Sequence, residues 1–116
     1  MKKILFVTSE AHPLIKTGGL ADVSGSLPKA LSELGQDVRI LIPNYQDLNR
    51  TEDVHYKCTL RVNNHDVNIL ETRLPGASVV VWLIDCPEFF GFPGNPYHDA
   101  YGNAWANSAE RFALFC

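Results

Sequence analysis

The sequence lacks the features that mark nucleic-acid-binding and membrane proteins. Its 116 residues carry a formal net charge of −3, and the lysines and arginines are scattered along the chain. Because no basic stripe can follow a phosphate backbone, we expect no nucleic-acid partner. The apolar run that begins at Ile4 ends at Thr8, before a signal-peptide core is complete, and no run is long enough to cross a bilayer. The sequence therefore predicts a cytoplasmic protein without a membrane partner.

Cysteine and histidine are too sparse and too widely spaced to build a metal or disulfide site. The cysteines are odd in number and form no Cys-x-x-Cys pair: Cys58, Cys86 and Cys116. We interpret them as reduced, partly buried thiols in a reducing cytosol. Three histidines show no metal-ligand spacing: His12, His55 and His65. We therefore predict no metal site and no cofactor.

Standard catalytic and phosphate-binding motifs are also missing. The sequence contains no Ser/His/Asp set and no matched carboxylate pair for glycoside hydrolysis. It has neither Gly-x-Gly-x-x-Gly nor Gly-x-x-x-x-Gly-Lys-Ser/Thr. A self-contained dinucleotide site or P-loop is thus disfavoured, and we assign no catalytic residue within this chain.

The first third of the sequence has the pattern of an α/β fold with a mostly parallel sheet. The run Ile4–Val7 is continuously apolar, which is typical of a parallel strand buried on both faces, and Val38–Ile42 is predicted as a second strand that Pro43 closes. Apolar residues between them recur at helical spacing and stop at Gly35: Leu20, Val23, Leu27, Leu31 and Leu34. We expect a right-handed βαβ unit whose helix crosses back over the sheet. Pro28 predicts a kink or a restart near Ser26.

The remainder of the sequence predicts an inserted hairpin, another strand, a loop and a helix. Alternating polar and apolar residues over 55–73 indicate an antiparallel hairpin with one wet face. Val79–Ile84 returns to the buried-strand pattern. Residues 86–103 are rich in proline, glycine, asparagine and aromatics, which favours a shaped binding loop. A last helix is predicted from one apolar face: Trp105, Ala109, Phe112, Ala113 and Cys116.

The loop between the first strand and the first helix has the composition of an anion-binding site. Lys16 supplies a positive charge, and Gly18 and Gly19 let the backbone approach a ligand closely. The first amides of the following helix have no intrahelical partner and favour negative charge. An alternative is that the glycines form only a tight turn and that Lys16 is solvated. Glu10, which precedes the loop, is expected to order it.

The string Glu10–Val23 closely resembles the N-terminal signature of bacterial glycogen synthases and plant starch synthases, which form glycosyltransferase family 5. The segments Leu27–Leu31, Val38–Pro43 and Pro93–Asp99 also resemble that family and follow in the same order. Where many members carry an Asp-Arg pair before the Pro-Gly of the long loop, this chain has Gly91-Phe92. The resemblance covers nearly the whole sequence.

This resemblance implies a retaining glucosyltransferase of the two-domain GT-B type. Such an enzyme moves glucose from ADP-glucose to the non-reducing end of glycogen or another α-1,4-glucan primer, without a metal. Residues 1–116 would form part of its Rossmann-like N-terminal, acceptor-side domain, and the C-terminal nucleotide-binding domain would be absent from this chain. The chain alone would then be inactive. Two alternatives stay open, a non-catalytic glucan-binding module and a UDP-glucose-dependent enzyme.

The resemblance also implies five substrate-binding residues. Lys16, Gly18 and Gly19 would contact the donor phosphates, and Lys16 would steady the departing ADP. Asp22 would accept hydrogen bonds from sugar hydroxyls, although the helix dipole also favours a carboxylate in the first turn. Tyr97 would flank the donor or acceptor and stack on a sugar ring, or else it would serve only to anchor its loop.

Overall fold

A five-stranded sheet organises the computed structural model, which describes residues 1–50 and 53–116. Its elements in chain order are β1 (Lys3–Val7), α1 (Gly19–Glu33), β2 (Asp37–Pro43), β3 (His55–Val62), β4 (His65–Arg73), β5 (Val80–Asp85), α2 (Pro87–Phe90) and α3 (Ser108–Phe115). None of these helices has both the length and the apolar character needed to span a bilayer.

The sheet is mixed and has the strand order β1-β2-β5-β4-β3. Strands β1, β2 and β5 are parallel, whereas β4 pairs antiparallel with β5 and β3 antiparallel with β4. The predicted α/β fold, with its βαβ unit and its inserted hairpin, is confirmed. Parallel strands place their carboxyl ends at one edge of the sheet, so the loops after β1, β2 and β5 meet there.

The main core lies on one face of the two central strands. Alternate residues of β2 and β5 point to this face, where Ile40, Ile42, Val81 and Leu83 are each fully buried. The β1–α1 loop and α2 contribute Leu14 and Phe90 to the same cluster. The aliphatic runs of β2 and β5 therefore create the rigid platform on which the loops rest.

Strand β1 differs from its predicted environment. Leu5 and Val7 are 51% and 50% exposed, so the prediction of burial on both faces is wrong for this strand. It is an edge strand, and α1 covers only the opposite face, where the hydroxyls of Thr8 and Ser24 lie 2.9 Å apart. A continuous apolar run thus predicted the strand but not which of its faces would be covered.

Helix α1 forms as predicted but packs through a different face. Its buried residues are Ala21, Ser24 and Pro28. The apolar residues expected to face the sheet are largely exposed: Leu20 49%, Val23 51%, Leu27 43% and Leu34 75%. The cause is close backbone packing, because a Cβ on Gly25 would lie 2.3 Å from the His12 carbonyl oxygen. Small residues fit against this loop, whereas leucines do not.

Pro28 does not interrupt α1, which is helical from Gly19 to Glu33. The predicted restart near Ser26 is therefore wrong. Pro28 is buried, and its packing offsets the cost of about 3 kcal/mol that proline carries inside a helix. The Ser26 hydroxyl donates to the Asp22 carbonyl at 2.8 Å, within the same continuous helix.

The outer strand of the hairpin and two of the thiols are more exposed than predicted. Strand β3 is exposed along nearly its whole length, including Cys58. Cys116 is exposed as well, and only Cys86 is buried, so the prediction of three partly buried thiols is wrong for two of them. Among the described residues β3 has extensive contact only with β4, so no other element covers either of its faces well and alternation did not produce a buried face.

The segment after β5 contains more regular structure than its composition suggested. It begins with the short helix α2, and its last helix, α3, starts at Ser108. The buried residues of α3 are Arg111 and Leu114, whereas Ala109 and Ala113, expected on the packed face, are exposed. The helix was predicted correctly but its buried face was not, because a buried arginine resembles a solvent-facing residue in the sequence pattern.

Candidate functional site

Three loops meet at the carboxyl edge of the parallel strands. Tyr45, after β2, donates its hydroxyl hydrogen to the Ser9 carbonyl at 2.8 Å. The Ser9 hydroxyl, after β1, lies 2.6 Å from the hydroxyl of Tyr97 in the long loop after β5. The Gln46 amide donates to the Phe90 carbonyl at 3.0 Å, which joins the second and third loops again. This edge is where ligands bind in open α/β sheets.

Glu10 holds the loop that contains Lys16. Its carboxylate is 2% exposed, and it accepts hydrogen bonds from the Thr17 amide at 3.2 Å and from the Thr17 hydroxyl. Its other oxygen accepts from the Ala21 amide at 3.2 Å, at the start of α1. Ala21 also donates to the Gly18 carbonyl at 3.2 Å. The expectation that Glu10 orders the loop is confirmed.

Three consecutive amides at the start of α1 are open to an external acceptor. Within residues 1–50 and 53–116, no acceptor bonds the amides of Gly18, Gly19 or Leu20. A Cβ on either glycine would meet nothing within 4 Å, and neither glycine has a positive φ. Packing and backbone conformation therefore do not require glycine here. The arrangement can accept an anion at the positive end of the helix.

Lys16 and Asp22, which flank the segment that carries these amides in the sequence, form an ion pair with each other. The Lys16 ammonium donates to both Asp22 carboxylate oxygens at 2.8 Å. Both side chains are about half exposed, at 47% and 55%. The positive charge expected at the loop is present and accessible, but it is already paired with a residue of the first turn of α1.

Asp22 also borders an open groove beside α1. This groove has a volume of about 530 Å³ and runs between α1, the segment around His12 and the turn at 75–77. Ser26 and Lys29 line it together with Asp22. Hydroxyl, carboxylate and ammonium groups on one wall provide the hydrogen-bonding capacity that a polyhydroxylated ligand requires.

Tyr97 is half-buried and fixed at several points. Its hydroxyl bonds to Ser9, and its ring centroid lies 6.3 Å from that of Phe112 on α3. The Asn95 side-chain oxygen accepts from the amides of Tyr97 at 2.8 Å and His98 at 2.7 Å, which shapes the turn. Tyr97 therefore anchors its loop to the loop after β1 and remains partly exposed as a residue.

A buried cation, Arg111, lies 5.9 Å from the ring centroid of Tyr45, and the sequence pattern did not predict it. Arg111 is 1% exposed, and its guanidinium lies 4.2 Å from the Trp105 ring centroid and 5.2 Å from that of Phe90. Burial lowers the pKa of Arg111 and raises the pKa of the Tyr45 hydroxyl well above its ordinary value. Trp105 before a helix is the one signal in the sequence for this cation–π cluster.

Metal and thiol chemistry have little support at this edge. In the described part of the chain, no three His, Cys, Asp or Glu side chains are grouped to hold a metal ion. Cys86 is buried, and burial, together with the nearby Glu88 carboxylate, raises the pKa of its thiol to about 11. Such a thiol is neutral at physiological pH and a poor nucleophile.

Comparison with known families gives a match over almost the whole chain. The family described as "Starch synthase catalytic domain" matches residues 3–116. Similar proteins include glycogen synthase 1 of Methylococcus capsulatus, 54% identical over 112 residues, which cover 97% of this chain and 23% of that protein. Glycogen synthase of Cellvibrio japonicus is 52% identical over 118 residues, 99% of this chain and 24% of that protein.

A solved structure has a similar fold. The catalytic domain of starch synthase IV from Arabidopsis thaliana, bound to ADP and acarbose, superposes with a TM-score of 0.77 and 25% sequence identity. The match covers 97% of this chain and 23% of that one. The chain thus spans about a quarter of the length of the proteins that it matches.

Proposed function

The chain belongs to the starch synthase catalytic domain family, and on this basis we propose that it forms the N-terminal, acceptor-side part of a glycogen synthase. The enzyme transfers glucose from ADP-glucose to the non-reducing end of an α-1,4-glucan, with retention of configuration. ADP bound to the Arabidopsis starch synthase supports an adenine nucleotide donor, and acarbose on the same protein supports a glucan acceptor.

One observation carries this proposal. The Lys16 ammonium and the open amides of Gly18 and Gly19 lie together at the start of α1, beside the carboxyl edge of the parallel strands. An ammonium and unpaired amides at a helix N-terminus suit a phosphate. The loop therefore suits the diphosphate of a nucleotide sugar, in a family whose members make glucans.

In the reaction, the bond between the glucosyl C1 and the diphosphate oxygen breaks, and a bond forms between C1 and the acceptor 4-oxygen. ADP leaves with the electron pair, and the proton of the acceptor hydroxyl passes to the departing diphosphate or to solvent. The Lys16 ammonium and the amides of Gly18 and Gly19 stabilise the charge that grows on the departing ADP. Such contacts accelerate transfer when they strengthen in the transition state.

Asp22 and Tyr97 contact the sugar rings of the substrates. The Asp22 carboxylate lies beside Lys16, where it can accept hydrogen bonds from glucosyl hydroxyls. The Tyr97 hydroxyl is engaged by Ser9, which leaves part of the ring to pack on a sugar face. The groove beside Asp22 supplies further polar contacts for the glucan.

A second domain completes the enzyme. Because the chain spans about a quarter of its relatives' length, we assign the nucleotide-binding domain and the other catalytic residues to the remaining sequence. Residues 1–116 alone are then inactive. We place the reaction in the cytosol, where three free thiols stay reduced.

The proposal is tested by measuring transfer of labelled glucose to glycogen. The full-length parent protein and the isolated residues 1–116 are each assayed with ADP-glucose and with UDP-glucose. We expect turnover by the parent alone, with ADP-glucose preferred. Turnover by the isolated chain would contradict the two-domain account, a preference for UDP-glucose would change the donor, and glucan binding without turnover would indicate a binding module.

A further inference from the structure

The ammonium that the proposed function assigns to a phosphate already has a partner. Lys16 Nζ lies 2.8 Å from both Oδ1 and Oδ2 of Asp22. Two of its three N–H donors are therefore directed at a carboxylate. A diphosphate that approaches Lys16 must also approach the negative charge of Asp22, which repels it.

The loop backbone and the ion-paired side chains differ in how firmly they are held. The Glu10 carboxylate fixes Thr17 and Ala21 on either side of the glycines, so the loop backbone is held in place. The side chains of Lys16 and Asp22 are instead about half exposed, and their ion pair lies outside the packed core. A change at this site therefore involves the two side chains and leaves the loop unchanged.

We propose that Lys16 exchanges partners during the catalytic cycle, an inference that rests on the proposed function. In the unliganded site Asp22 holds the ammonium. When the donor binds, the Lys16 ammonium pairs with the diphosphate instead, and the released Asp22 carboxylate accepts hydrogen bonds from the hydroxyls of the glucosyl group. Asp22 is thus a positioning residue for Lys16 as well as a sugar contact.

This exchange discriminates between donor and product. When ADP-glucose binds, hydrogen bonds from the hydroxyls of its glucosyl group to the Asp22 carboxylate replace the lost ion pair. ADP lacks the glucosyl group and its hydroxyls, so its binding leaves the carboxylate beside a diphosphate without that new partner. Asp22 should therefore weaken the binding of ADP and strengthen the binding of ADP-glucose, which favours product release after transfer.

The test is a calorimetric titration of ADP into the full-length parent protein, which does not depend on turnover. The variants are Asp22→Asn, Lys16→Gln and the double substitution, and Glu33→Gln at the far end of α1 controls for loss of one exposed carboxylate. We expect Asp22→Asn to tighten ADP about two- to fivefold at low ionic strength, as for exposed ion pairs. In the Lys16→Gln background the same change should tighten ADP less, because only the direct repulsion between Asp22 and the diphosphate is then removed.

A second readout is transfer from ADP-glucose, which Asp22→Asn should lower while it tightens ADP. Unchanged or weaker ADP binding by Asp22→Asn would overturn the exchange. It would also be overturned if Asp22→Asn tightened ADP equally with and without Lys16→Gln, or if Glu33→Gln tightened ADP as much as Asp22→Asn does. The proposed function fails separately, if the wild-type protein binds no ADP or if Lys16→Gln leaves ADP binding unaltered.

Discussion

The hydroxyl of Tyr97 lies 2.6 Å from the hydroxyl of Ser9, although 88 positions separate them in the sequence. This bond joins the long loop after β5 to the loop after β1. Ser9 directly precedes Glu10, which holds the Lys16 loop, so two sets of hydrogen bonds on adjacent residues tie Tyr97 and the Lys16 loop to the same short segment. The order of one loop therefore depends on the other.

Tyr97→Phe should remove the hydrogen bond between Tyr97 and Ser9 while the aromatic ring is retained. Loss of a part-buried hydrogen bond costs about 0.5–1.5 kcal/mol of stability, and we expect the KM for the glucan to rise more than the KM for ADP-glucose. Ser9→Ala removes the same bond from the other side. In urea unfolding, the free energy of unfolding of the double variant should therefore equal that of the less stable single variant. Additive losses would show that the two hydroxyls act independently.

Gly19→Ala should separate function from stability. A Cβ at Gly19 meets nothing within 4 Å, so the folded chain should keep its stability or gain about 0.4–1 kcal/mol from reduced freedom in the unfolded state. The methyl group would nevertheless obstruct the diphosphate, and we expect transfer from ADP-glucose to fall. Thermal unfolding and the transfer assay together measure both effects.

Gly25→Ala is the matched control on the same helix. Its Cβ would lie 2.3 Å from the His12 carbonyl oxygen, so the variant should lose about 1–3 kcal/mol of stability through overpacking. If Gly19→Ala is destabilised as much as Gly25→Ala, the glycine serves the fold and its assignment to the donor site is wrong.

Thiol labelling should distinguish the three cysteines. Cys58 and Cys116 are exposed, whereas Cys86 is buried and its pKa is raised to about 11. At pH 8, iodoacetamide should modify the first two in the native chain, and Cys86 only after unfolding in urea, because the thiolate is the reactive species. Mass spectrometry counts the modified sites. Rapid native labelling of all three would contradict the burial of Cys86.

The order of the elements could be predicted from the sequence because each carries a local signal. The aliphatic runs of β2 and β5 and the alternation of residues 55–73 are encoded within a few neighbouring positions. Which face becomes buried is decided by partners distant in the sequence. The contact between Gly25 and His12 selects the small-residue face of α1, and Leu5 is exposed because it lies on an open face of the sheet.

The proposed site was predictable to a similar extent. The string around Lys16 carries a family signature, and Glu10 was expected to order the loop, as its hydrogen bonds confirm. The ion pair between Lys16 and Asp22 depends on side-chain rotamers six residues apart across a loop, which sequence spacing does not specify. Arg111 was missed because burial of a charge requires the aromatic rings that other segments bring to it.

The central claim is that the Lys16 charge acts on the leaving diphosphate of ADP-glucose. It is tested most directly by steady-state kinetics of Lys16→Gln in the full-length parent, with Lys2→Gln at the opposite end of β1 as the control. We predict that Lys16→Gln lowers kcat about 10- to 100-fold, which corresponds to a charge-assisted bond of about 1.5–3 kcal/mol, and changes the donor KM less. Kinetics indistinguishable from those of Lys2→Gln would contradict the claim and make Lys16 a solvated surface residue.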